Sequence, residues 1–143
     1  SENLIKEAEK RNVDSNRLIF AYNLPLEKHL ARHTLGDLAL DTFNYNGHTT
    51  TSDALWAGLP VLTKIGESFA ARVSASLLTS IGLPDLITYN EREYEEKAIN
   101  IAKNPDELIR LKSKLNKSRK TSPLFNTEIF TKDLENKFIE LVK

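Results

Sequence analysis

One short stretch of the sequence has the residue types and spacing to hold an anion. Gly47–His48–Thr49–Thr50 follows an apolar run at 38–40, precedes a helical pattern, and is followed one turn later by Asp53. A turn between the carboxyl end of a strand and the amino end of a helix is where an open α/β sheet offers a crevice, and where unpaired backbone N–H groups favour negative charge. The two threonines add hydroxyl donors, and His48 adds a ring donor or a positive charge. Asn46–Gly47 lets the backbone bend and leaves room for close approach. Asp53 then lies within reach of a diol, so phosphate and ribose acceptors share one face. The same letters have a plainer use, because Thr50-x-x-Asp53 also resembles a capping box.

These residues need a scaffold of alternating strands and helices, and the pattern supplies one. A helix is expected over 3–11, then a polar turn at 12–16, and RLIFA at 17–21 has the length and composition of a buried strand. Pro25 suits a first helical turn and leads a helix to about Thr34. Further strands are expected at 38–40, 60–63 and 85–88, with a helix capped by Thr49 or Thr50 and stopped by Gly58, and another at 70–81 closed by Gly82. Alternation of this kind implies right-handed crossovers and a parallel sheet buried on both faces. The expected fold class is therefore α/β, a partial Rossmann-like sheet of about four strands with flanking helices.

From Glu91 the strand pattern stops and an all-helical section begins. Helices are expected at 91–103, from Pro105 with Leu108, Leu111 and Leu115 in line, and at 127–142. The last lines up Phe130, Leu134, Phe138 and Leu141, a stripe that needs a partner surface. Residues 1–90 thus form an α/β nucleotide-binding part and 91–143 a helical part of one domain.

Composition limits the partners. With 20 basic and 20 acidic residues the 143-residue chain has no net charge, so nothing global argues for nucleic acid. The basic run Lys117, Arg119, Lys120 lacks the interleaved aromatics of a stacking platform and reads as a solvated helix end. No apolar run approaches a membrane span, the charged N-terminus has no signal-peptide core, and cysteine is absent, which together favour the cytoplasm. A chain without methionine even at position 1 is expected to be a piece of a longer one.

The strings NGHTT at 46–50, SDALWAG at 52–58, GE-x-x-A-x-RV at 66–73 and SPLFN at 122–126 are specific in combination. Carrying them, the chain from about residue 12 onward resembles the C-terminal part of the catalytic region of the O-linked N-acetylglucosamine (O-GlcNAc) transferase family. The resemblance implies a GT-B glycosyltransferase of two Rossmann-like lobes, usually behind tetratricopeptide repeats, that moves N-acetylglucosamine from UDP to serine or threonine of proteins with inversion. By that resemblance His48, Thr49 and Thr50 grip the donor pyrophosphate and Asp53 binds the ribose hydroxyls. His29 and Arg32 flank the uridine, and the backbone at Leu24 faces the base. It implies no metal and no cofactor, the donor substrate being UDP-N-acetylglucosamine. His48 favours this branch over relatives that transfer fucose from GDP.

Leu26 departs from the pattern, since many relatives carry a lysine there. Family comparison also places the leaving-group lysine and the protein acceptor site in sequence upstream of residue 1, so no catalytic residue is assigned here, and the isolated chain is expected to hold a donor without turning it over. Losing the first strands of the lobe would leave RLIFA without neighbours, so it is expected either to pair with the 38–41 strand or to have its edge covered in a homodimer. Arg72 is expected to pair with Glu67 or Asp85, and His33 to be a surface residue. Two other readings stand beside this one: a non-catalytic nucleotide or phosphate-binding module, and a helical interaction domain whose HTT turn merely caps a helix.

Overall fold

A computed structural model describes residues 1–142. In chain order its elements are α1 (Glu2–Lys10), α2 (Leu26–Arg32), β1 (Ala39–Leu40), α3 (Thr49–Ala57), β2 (Val61–Lys64), α4 (Val73–Ser80), β3 (Ile87–Thr88), α5 (Glu91–Lys103), α6 (Pro105–Thr121) and α7 (Thr127–Leu141), joined by loops and short 3-10 turns.

The strands form a parallel sheet in the order β1-β2-β3, with Ala39 opposite Val61 and Thr63 opposite Ile87. The α/β class and the parallel sheet are as expected, but the sheet has three strands. RLIFA is not among them: Arg17 closes a 3-10 turn and residues 18–25 run outside any regular element. Ile19 is 90% exposed, and Phe20 is exposed as well. An apolar run becomes a strand only when a neighbour accepts its backbone bonds. β1 pairs with β2 alone among the described residues, so the expected pairing with 38–41 does not form.

Local chemistry sets the boundaries that matter for the turn. α3 ends at Gly58, whose φ of +88° lies in the left-handed region, and Gly58 and Leu59 N–H bond back to Leu55 and Ala54 carbonyls. The Arg119 guanidinium donates to the Trp56 carbonyl at 2.7 Å, so this member of the basic run is not merely solvated but caps α3. α5 starts with a reciprocal box, in which Asn90 accepts from Glu93 N–H while the Glu93 carboxylate accepts from Tyr89 N–H.

One core holds the two sections together. Leu55, Leu62, Leu78, Leu83, Leu86, Leu111 and Leu115 are all 0% exposed and Ile101 is 2% exposed, so residues from α3, β2, α4, α5 and α6 form a single cluster. α7 contributes nothing buried, and Phe130, Leu134, Phe138 and Leu141 stay exposed. No helix among the described residues is long and apolar enough to cross a membrane.

Candidate functional site

The segment between β1 and α3 is tied down at nearly every residue. Asp41, at the end of β1, accepts on Oδ1 from the N–H groups of Thr42 (2.9 Å) and Gly47 (2.7 Å), and on Oδ2 from the Thr63 hydroxyl of β2 (2.7 Å). Its carbonyl accepts from the Tyr94 hydroxyl of α5 at 3.0 Å. Asn46 is fully buried, donating its amide to the Thr42 carbonyl and its N–H to the Ala70 carbonyl. The Gly47 carbonyl accepts from the Ser74 hydroxyl of α4, which also bonds Thr51. Strand, turn and two helices are thus fastened to one loop.

Gly47 earns its place by closeness. A Cβ there would stand 2.6 Å from both the Thr50 and Thr51 hydroxyl oxygens. The left-handed residue of the loop is Asn44, at φ +65°. The glycine therefore lets the loop lie against its own helix, rather than supplying an unusual backbone angle.

What results is an exposed helix start with donors to spare. The first turn closes with Ser52 N–H to the His48 carbonyl, and no side chain caps the end. The N–H groups of Thr49, Thr50 and Thr51 thus have no acceptor among the described residues, and the side chains of Thr49 and Thr50 face solvent. His48 stands at the cap position, its ring stacked on Tyr45 (4.9 Å between centroids, 11° between planes) with Phe69 edge-on at 6.1 Å. Its Nε2 is buried without a partner among the described residues, a condition that leaves a polar atom in want of a ligand or water. The capping-box alternative is not realised, because His48 and not Thr50 occupies the cap.

The second half of the site is a contact between α2 and α3. His29 Nε2 lies 3.8 Å from Asp53 Oδ2, and both side chains are about one quarter exposed. Arg32 donates from one guanidinium nitrogen to His29 Nδ1 and from the other to the Tyr22 carbonyl, each at 2.8 Å. Since arginine only donates, His29 accepts on Nδ1, and in its neutral form carries its proton on Nε2, toward Asp53. The bond to Tyr22 attaches the segment containing Leu24 to α2. His33 is half-buried and not a plain surface residue, since its Nδ1 donates to the His29 carbonyl and it lines a cleft of about 190 Å³ with Leu40, Asp41 and Thr50.

The structure therefore joins His29, Arg32 and Asp53, and separately presents His48, Thr49 and Thr50 on one helix end. Arg72 differs from expectation: it donates to the Gly66 carbonyl, while Asp85 pairs with Lys114 and Arg110. Asp41, Thr63, Ser74 and Tyr94 were not singled out in the sequence. The one local signal was an aspartate closing a strand just before a polar turn. Among the described residues no three His, Cys, Asp or Glu side chains are grouped to hold a metal ion.

Comparison with known proteins adds a second line. The sequence matches the family model for Glycosyl transferase family 41 over residues 1–134. The UDP-N-acetylglucosamine--peptide N-acetylglucosaminyltransferase of Caenorhabditis elegans is 35% identical over 135 residues, covering 94% of this chain but 12% of that protein. A probable enzyme of the same name from Arabidopsis thaliana, SEC, is 39% identical over the same span, 14% of its own length. Among solved structures, a point mutant of the Thermobaculum terrenum O-GlcNAc transferase superposes with a TM-score of 0.87 at 33% identity, over 96% of this chain and 26% of that one.

Proposed function

Because the chain belongs to glycosyl transferase family 41, we propose that it is the donor-binding portion of a protein O-N-acetylglucosaminyltransferase, holding the UDP of UDP-N-acetylglucosamine. The observation that carries this reading is the start of α3, where the N–H groups of Thr49, Thr50 and Thr51, without acceptors among the described residues, follow His48, whose buried Nε2 likewise has no partner there. Such an end attracts a diphosphate by fixed partial charge, and the threonine hydroxyls add oriented donors. Asp53, one turn along and beside His29, receives the ribose diol, and the segment around Leu24, fixed to α2 by Arg32, lies against the base. His48 and the N–H groups carry the diphosphate charge in this reading, which assigns no role to a metal.

Transfer itself belongs to a longer chain, since the chain spans about an eighth of the curated relatives it matches. In that setting this portion contributes position and charge stabilisation to the departing UDP, while protein acceptors are met elsewhere. Titration of the 143-residue chain with UDP is the test. Binding should fall at least about tenfold in His48→Ala and in Asp53→Ala, the scale of one lost charged or bidentate contact. It should also be unchanged by a chelator. Binding that survives both substitutions would refute the assignment of the site, and sugar transfer to a peptide by an upstream-extended chain separates a transferase from a mere nucleotide-binding module.

A further inference from the structure

Resting on that reading, we propose that Asp41 is a positioning residue for the diphosphate: it touches no donor atom and sets the shape of the turn that does. Among the described residues its carboxylate alone bonds both ends of the 42–47 loop and the sheet, through Thr42 N–H, Gly47 N–H and the Thr63 hydroxyl. Thr63 is completely buried in the central strand, so the loop is tied to the interior of the sheet.

The bond to Gly47 N–H has a directional consequence. With its N–H turned to Asp41 and its carbonyl turned to Ser74, the Gly47 peptide is fixed on both sides, and His48 follows at the cap of α3. The acceptor-free N–H groups of Thr49, Thr50 and Thr51 begin immediately after it. Without the carboxylate, Gly47 N–H would compete for the same anion and the loop would lose its tie to β2. An acidic side chain beside an anion site is unfavourable by charge alone. Here its lone pairs are spent on three protein donors, and geometry is what it supplies.

Asparagine keeps that geometry. Its carbonyl oxygen can accept from both N–H groups while its amide donates to the Thr63 hydroxyl oxygen. The experiment measures affinity of the 143-residue chain for UDP and for uridine, together with amide hydrogen exchange at Gly47. In Asp41→Ala, UDP affinity should fall on the order of tenfold while uridine affinity stays within about twofold, and Gly47 exchange should accelerate with β2 still protected. Asp41→Asn should restore both readouts. If Asp41→Ala fails to fold, Thr63→Val, which frees only Oδ2, should weaken UDP by about threefold and leave uridine alone.

Unchanged UDP binding in the folded variants, or parallel losses of UDP and uridine, would overturn the role of Asp41. Should the unmodified chain bind no UDP, the donor reading fails and the proposed role fails with it. Gly47 exchange would then still show whether Asp41 holds the loop.

Discussion

Gly47 shows how little room the turn before α3 has. Adding a methyl group in Gly47→Ala places carbon 2.6 Å from two threonine hydroxyls, so the helix start must move. Overpacking of this kind costs about 1–3 kcal/mol. UDP affinity should fall by more than the loss of stability explains, which titration and denaturant unfolding of the same variant would reveal. Tyr94 gives a pH-dependent case. Its hydroxyl, half-buried and donating to the Asp41 carbonyl, is pushed up to about 12, mainly by burial and further by the Asp41 charge. The unfolded chain releases that proton near 10. The contribution is therefore complete below about pH 10 and disappears as pH rises through about 12. Tyr94→Phe should cost about 0.5–1.5 kcal/mol near neutrality. Its deficit in denaturant midpoint should shrink between pH 10 and 12, and one of the four tyrosines should ionise last by tyrosinate absorbance. The NGHTT string made a helix start with exposed hydroxyls legible, because helix starts and hydroxyls are local facts. The partners of Asp41 were not legible, since Thr63 and Tyr94 lie 22 and 53 residues away and only folding brings them close.

Among the elements, α6 supports the helix that carries the candidate site from its far end. Leu111 and Leu115 are both 0% exposed, and Arg119 from the same helix caps the far end of α3. Leu111→Ala should cost about 2–5 kcal/mol, the range for emptying a buried leucine position, and calorimetry or urea unfolding would measure it. The line of Leu108, Leu111 and Leu115 made this helix readable from periodicity alone, and all the long helices were readable the same way. Strands were harder. RLIFA has strand composition yet runs exposed, because a strand is a relationship between two segments, and β1 bonds only to β2 among the described residues. Leu40, which an apolar run at 38–40 would place inside, is 58% exposed for the same reason.

At the scale of the whole molecule, a single core runs from Ala54 to Leu115, with Leu124 and Phe125 packed against it, and α7 lies beyond it with no buried residue. Removing residues 127–143 should therefore shift the melting temperature of the remainder by no more than about 2 °C, since surface changes stay within about 0.5 kcal/mol. A large drop would show that α7 packs where the structure leaves it exposed. The sheet carries one more consequence. Both of its outer strands, β1 and β3, are two residues long. Two copies meeting edge to edge would gain few ladder bonds, too few to repay the order that a growing fibril demands. Even concentrated solutions kept for weeks should seed no amyloid through these edges, and an amyloid dye should stay dark.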